Sequence, residues 1–411
     1  MSRNDDPKAS RQLRSSTFDQ KRLMSKFLII GSHAEQMLNF RGDLIRHLQS
    51  RGHEVLTAAP PGPPVVAERF AAWGVRCFEL EMERTGVSMR ADLRLLAQLR
   101  ALLQAERPDV VLAYTIKPVI YSALAARLAG RPAMVAMITG LGLAFSKSTS
   151  PKEWLVRTFA RTLYGWAMRC TDVVMFQNPD DEADFRRNRL LHTWHQIERT
   201  NGSGVNLQRF PVVVMPGGPL RFLMVSRLLA DKGVREYIAA ATALRQSHPE
   251  VECHLVGPFD PNPASLSPGE IDAAVASQAV VYHGFQRDVR PCLATSHVYV
   301  LPSYREGTPR SVLEAMATSR PIITTDAPGC RETVVNGVNG FLVPPGSVAP
   351  LVAAMVRMIE MAPGTLAAMA EASYQMARQR FDVVAVNAQV TRVLEQASAG
   401  AGRTTPTIAA N

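Results

Sequence analysis

Four ionisable side chains in two short segments carry the chemistry legible in this chain. Glu306 and Glu314 stand eight positions apart in Ser303-Tyr-Arg-Glu-Gly-Thr-Pro-Arg-Ser-Val-Leu-Glu314. A carboxylate accepts two hydrogen bonds from vicinal hydroxyls. Glu314, inside a helix with its side chain leaning toward the N-terminus, suits a diol such as that of a ribose. Arg227 and Lys232 lie five apart in Ser226-Arg-Leu-Leu-Ala-Asp-Lys-Gly233, where a helix begins. A guanidinium fork and a mobile ammonium beside helix-start amides make a diphosphate cradle, and both lower the cost of charge appearing on a leaving group. Each motif alone has a plainer reading. Surface Lys and Arg are mostly solvated, and Arg310 with Glu314, four apart on one helix face, is an ordinary ion pair worth only ~0.3–0.5 kcal/mol if exposed. That pairing leaves Glu306 unexplained.

The elements that must position these groups follow from the apolar pattern. His297-Val-Tyr-Val-Leu-Pro302 reads as a buried strand and Pro309 suits a first helical turn, so both glutamates belong at a strand's carboxyl edge, where open α/β sheets bind ligands. From Lys26 onward short apolar runs alternate with amphipathic ones, the signature of βαβ units on parallel sheets. Strands are expected at 27–30, 55–58, 75–80, 110–114, 133–138 and 173–177, then at 221–226, 251–256, 279–283, 298–301 and 321–325. The predicted architecture is α/β, two Rossmann-like parallel-sheet domains facing across a cleft. Its division is a basic arm at 1–25, a first domain at 26–205, a linker at 206–219 through Phe210-Pro-Val-Val-Val-Met-Pro-Gly-Gly-Pro219, and a second domain at 220–375. A helical stretch over 349–395 is longer than closing the second domain needs, so its end, 376–396, is expected to return to the first domain, with a disordered tail at 397–411.

The 411 residues, 46% hydrophobic and 20% charged, exclude a disordered chain. A net charge of +10 predicts anionic partners. Dispersed arginines, with no zinc-ligand spacing and no RNA-binding aromatic signature, speak against nucleic acid, which leaves a membrane surface or a phosphorylated substrate. Five scattered cysteines without a Cys-x-x-Cys pair fit a reducing compartment. No apolar run reaches the ~20 residues of a membrane span. No Asp-x-Asp carboxylate spacing calls for a divalent metal, and no Gly-x-Gly-x-x-Gly follows a strand, which disfavours a nicotinamide oxidoreductase.

Segment 303–314 resembles the Glu-x7-Glu signature of the retaining family 4 glycosyltransferases with the GT-B fold, and the resemblance runs from about residue 26 to 395. It implies a donor-sugar contact for Glu306, a ribose contact for Glu314 and diphosphate contacts for Arg227 and Lys232, with Gly307, Thr308 and Pro309 in the donor-binding turn. Tyr114-Thr-Ile-Lys-Pro118, Ile138-Thr-Gly-Leu-Gly142 and Asn201-Gly-Ser-Gly-Val205 are similar to the bacterial branch that extends sugars on undecaprenyl diphosphate, especially its N-acetylgalactosaminyltransferases. The implied partners are a UDP-sugar, a lipid-linked sugar acceptor and the inner-membrane surface, with the enzyme cytoplasmic and peripheral there, without a cofactor. A UDP-sugar 2-epimerase, which shares the two-domain plan, is the alternative.

Further candidates are Gly31 and Gly257 for backbone approach to the donor, His283 and Phe285 at the base-binding edge, and Lys117, Gly140 and Arg84 toward the acceptor. Gly31-Ser32-His33 departs from relatives that carry a glycine pair there. His33, His53 and His283 lack local carboxylate partners and read as structural. In 154–166, Leu155, Phe159, Leu163 and Trp166 share a helix face with Arg157 and Arg161 roughly opposite, either a core helix or one lying on anionic lipid. A non-catalytic membrane-binding protein would explain that helix and the charge while leaving the phosphate and diol groups idle.

Overall fold

The computed structural model describes residues 24–82, 88–141, 151–262 and 264–400, the side chains of 151–157 excepted. The first sheet has seven parallel strands in the order β3-β2-β1-β4-β5-β6-β7: β1 (Lys26–Ile30), β2 (Glu54–Ala59), β3 (Arg76–Glu79), β4 (Val110–Tyr114), β5 (Ala133–Ile138), β6 (Val173–Phe176) and β7 (Gln196–Arg199). The second has six in the order β10-β9-β8-β11-β12-β13: β8 (Arg221–Val225), β9 (Glu252–Val256), β10 (Val281–Tyr282), β11 (Val298–Leu301), β12 (Ile322–Thr325) and β13 (Gly340–Val343). Strands such as Val110-Val-Leu-Ala-Tyr114 are buried throughout, because helices cover both faces of a parallel sheet. Strand order reverses between β1 and β4 and between β8 and β11, which places one topological switch point in each domain.

The helices of the first domain are α1 (Ala34–Ser50), α2 (Pro64–Ala72), α3 (Met89–Glu106), α4 (Ile116–Leu128), α5 (Pro151–Met168) and α6 (Pro179–Arg187). The local chemistry of α6 is complete: the Asn178 side chain accepts from the Asp181 amide at 2.8 Å, Pro179 opens the first turn, and acids lead while arginines close. The second domain carries α7 (Val234–Ser247), α8 (Pro268–Ala276), α9 (Arg290–Ala294), α10 (Arg310–Ala317), α11 (Val348–Ile359) and α12 (Pro363–Arg380).

The structure redraws several expected boundaries. The stretch 349–395 is three helices, broken by Pro363 and again at Phe381-Asp382, and the segment lying on the first domain is α13 (Val383–Gly400) rather than 376–396. Its Val386, Val390, Val393 and Leu394 join the core under β4 and β5. Helix therefore continues three residues past 397, and 401–411 lie outside the described residues, as do 1–23. Ser25 belongs to the fold instead of to an arm: it is buried and its hydroxyl meets that of Ser398 at 3.0 Å. The segment 206–219 is packed, not a free tether. Phe210 is buried in the second core, and the buried Arg320 guanidinium donates to the Val213 carbonyl at 3.0 Å. The two chain crossings pair with each other, the Val205 amide donating to the Phe381 carbonyl at 2.7 Å and the Val383 amide to that of Val205 at 3.0 Å.

Among the described residues no single helix is long and apolar enough to cross a membrane. The bent pair α11 and α12 passes by composition alone, and its apolar side chains fill the second core.

Candidate active site

The loop after β8 and the loop after β11 meet at the second domain's switch point. Gly233 has φ +74°, and a Cβ there would stand 2.1 Å from the Pro302 carbonyl, so glycine alone lets the loops close. The Tyr304 amide and Ser303 hydroxyl then both donate to the Asp231 carbonyl, at 2.9 and 3.1 Å. This stitching brings Lys232 Nζ to 2.6 Å from Glu306 Oε1, both side chains mostly sheltered from water. A charge-assisted pair so placed holds each partner in one geometry.

Arg227 stands after β8 as expected, with its Nη1 donating at 2.8 Å to Oδ2 of Asp260, whose side chain is 4% exposed. Asp260, in the loop after β9, carries no local motif and was not foreseen. Glu314 pairs with Arg310, Nε to Oε1 at 3.0 Å, so the four-apart ion pair is present. It is not the exposed kind: burial pushes the Glu314 carboxyl up, and Arg310 opposes that rise. Arg310 also reaches the first domain, donating to the Asn39 carbonyl and lying over the Phe40 ring at 5.1 Å.

Gly307 and Thr308 face the first domain rather than opening into the second. Gly307 sits against the Thr139 carbonyl and the Gln177 side chain, with Gly140 (φ +123°) beside its amide, and the Thr308 hydroxyl donates to the Gln177 carbonyl at 3.3 Å. Pro309 caps α10. The carboxyl edges of the two sheets therefore face one another, with the Glu306 loop between them.

The other candidates are spread over both domains. A Cβ on Gly31 would stand 2.2 Å from the Tyr114 hydroxyl, so packing of that tyrosine requires the glycine, whatever the donor needs. Gly257 has φ +150° and lies against the Ser226 carbonyl. Lys117 is bound to the buried Asp92 at 3.0 Å. His283 Nε2 lies 2.9 Å from His254 Nδ1; burial and that second imidazole hold it below the usual range. Phe285 is 62% exposed. His53 meets Glu395 at 3.0 Å, a carboxylate 342 positions away, and His33 meets the Ser32 hydroxyl at 3.1 Å. Arg84 and Gly142 lie outside the described residues. Among the described residues no three His, Cys, Asp or Glu side chains gather as a metal site.

Known families account for both halves. Residues 39–197 match the glycosyl transferase 4-like domain and 219–361 the glycosyl transferases group 1 model. The N,N'-diacetylbacillosaminyl-diphospho-undecaprenol α-1,3-N-acetylgalactosaminyltransferase of Campylobacter jejuni is 30% identical over 75% of this chain and 83% of its own. The chain belongs to the group 1 glycosyltransferases. A second relative, the UDP-Gal:α-D-GlcNAc-diphosphoundecaprenol α-1,3-galactosyltransferase of Escherichia coli, is 26% identical over 70% of this chain and 75% of its own. The fold is that of Anabaena HepE, crystallised with UDP-glucose (TM-score 0.70, 20% identity, 90% of this chain and 100% of that one), and of a Thermosynechococcus elongatus sucrose-phosphate synthase (0.75, 19%, 92% and 100%). This is the GT-B architecture, and the enzyme is a glycosyltransferase. The epimerase alternative shares the plan and is set aside by the family match of both domains.

Proposed function

We propose that this group 1 glycosyltransferase transfers a hexose or N-acetylhexosamine from a UDP-sugar to a sugar carried on polyprenyl diphosphate, with retention. The Lys232–Glu306 pair at the second switch point, with Arg227 on the adjacent loop edge, carries the reading. The donor's anomeric C–O bond breaks with its electron pair going to the β-phosphate oxygen, where Lys232 and Arg227 stabilise the new charge. The acceptor hydroxyl attacks from the same face and passes its proton to that departing phosphate oxygen, so no glycosyl-enzyme intermediate forms. Glu306 orients the sugar and Glu314 takes the ribose diol. A sugar trapped covalently on Glu306 would defeat this mechanism. The cations supply the charge that a metal would otherwise carry, so turnover is metal-independent. The test is a screen of UDP-Glc, UDP-Gal, UDP-GlcNAc, UDP-GalNAc and a GDP-sugar with a polyprenyl-diphosphate sugar, with and without EDTA. One UDP-sugar should be transferred in both conditions; GDP-sugar preference or EDTA-sensitive turnover counts against the reading.

On this reading the enzyme works at the cytoplasmic face of the inner membrane, where it would reach a lipid-linked acceptor. The face that supports this differs from the expected stripe. Leu163 packs against the core, and Leu155 and Arg157 lie outside the described side chains. Phe159 and Trp166 on α5 are 43% and 61% exposed, and on the same side of the sheet Met89 and Leu93 of α3 are 74% and 59% exposed among exposed Arg90, Arg94 and Arg100. Apolar side chains among arginines suit anionic headgroups. Phe159→Ser with Trp166→Ser is expected to reduce co-sedimentation with phosphatidylglycerol vesicles severalfold at unchanged Tm; wild-type-like sedimentation would remove this face from the membrane contact.

A further inference from the structure

The main chain of Glu306 is held from both domains. Its amide donates to the Pro328 carbonyl at 2.9 Å within the second domain. Its carbonyl and that of Gly307 accept from Asn178 Nδ2 of the first domain, at 3.3 and 3.0 Å. The residue before it, Arg305, crosses the same junction: its Nε lies 3.2 Å and its Nη2 2.5 Å from Asp181 Oδ1, and Nη2 lies 2.5 Å from Asp184 Oδ2. Asp181 has no exposed surface, and its second oxygen accepts from Asn178 Nδ2 at 3.1 Å. One asparagine therefore caps α6, steadies Asp181 and clamps the Glu306 loop at once.

We propose that Asn178, Asp181 and Arg305 form an interdomain latch whose closing sets the position of Glu306, making them positioning residues for sugar transfer. The proposal rests on the glycosyltransferase site described above and goes beyond it, because none of the three is a donor-holding group. The physical basis is conditional burial. Asp181 lies at the junction, and bringing the second domain over α6 removes water from its carboxylate. That desolvation is tolerable only with Arg305 and Asn178 in place. A planar guanidinium is the side chain that can serve two carboxylates at once. Because Arg305 adjoins Glu306 in sequence, the docking contact and the orientation of Glu306 form together. Donor groups Arg227, Lys232 and Glu314 belong to the second domain alone, so UDP can bind before the latch closes.

The latch predicts a split between donor binding and turnover. Arg305→Met should lower UDP-sugar turnover roughly 100-fold, the scale on which a 1 Å misplacement acts, while UDP affinity by calorimetry stays at the wild-type value. Arg305→Lys should recover part of the loss. Small-angle scattering at saturating UDP should show Arg305→Met more extended than the wild type. Adding Asp181→Asn to Arg305→Met separates latch from unpaired charge: the double variant stays slow if the contact itself matters. Wild-type turnover in Arg305→Met, recovery in the double variant, or parallel loss of UDP affinity and Tm would each overturn the proposal. A wild type that turns over no UDP-sugar overturns the functional reading instead, and the scattering comparison still decides whether the latch closes the domains.

Discussion

Lys232→Ala is expected to reduce kcat for UDP-sugar turnover by about 10²–10³-fold, equivalent to roughly 2.7–4 kcal/mol of lost charge stabilisation in the transition state. Two effects add in the same direction. The ammonium that meets the leaving diphosphate is removed, and Glu306 loses the partner 2.6 Å from its carboxylate. An unpaired, sheltered carboxylate facing an incoming diphosphate repels it, so donor affinity should fall as well. Lys232→Arg keeps the charge but replaces a point donor by a planar fork next to the close-packed Gly233 turn, and should restore only part of the activity. Steady-state kinetics with the preferred UDP-sugar decides the matter: a Lys232→Ala enzyme within tenfold of wild-type kcat would dissociate this lysine from the reaction.

The parts of this site that were legible in the sequence share one property. Arg227, Lys232, Glu306 and Glu314 each follow directly on an apolar strand or its helix, and parallel sheets gather such loops at one edge. The strands themselves were visible where burial on both faces demands an unbroken apolar run, as in Val110–Tyr114. Edge strand β7, Gln196-Ile-Glu-Arg199, was missed because it is short and polar. Strand β13 was missed because it is four residues long and opens on a glycine, which is needed where a Cβ would meet the Ile322 carbonyl at 1.8 Å. The long C-terminal helix was read as continuous because its two breaks span only a few residues.

What the sequence could not carry was pairing at a distance. Asp260 lies 33 positions from Arg227, and Asp181 lies 124 from Arg305. Nothing local marks either acid as a partner. The packing constraint on Gly31 was hidden for a related reason: it comes from Tyr114, which is distant in sequence and adjacent only once β1 and β4 pair. A single switch-point glycine looks the same whether a ligand or a neighbouring ring demands it. Asn178 was passed over because a helix cap explains an asparagine before Asp-rich turns without appeal to a second domain.

Gly307→Ala isolates domain contact from both folding and donor binding. The three nearest atoms to a Cβ at this position all belong to the first domain: the Thr139 carbonyl oxygen at 2.4 Å, Gln177 Oε1 at 2.5 Å and the Thr139 carbonyl carbon at 2.7 Å. Two of them are backbone atoms of the segment following β5, which cannot rotate away as a flexible side chain can. The backbone of Gly307 itself lies outside the positive-φ region, so alanine is conformationally acceptable within the loop. The approach of the two sheets' edges is obstructed by a single methyl group whose three nearest neighbours are all first-domain atoms. The expected result is turnover lowered by at least about 100-fold, the cost of holding a reacting geometry about 1 Å too open. UDP affinity and Tm should remain near wild type. Equal turnover would show that the junction between Gly307 and Thr139 opens during the reaction, and a fall in Tm together with UDP affinity would show that the loop's fold, rather than its docking, depends on glycine.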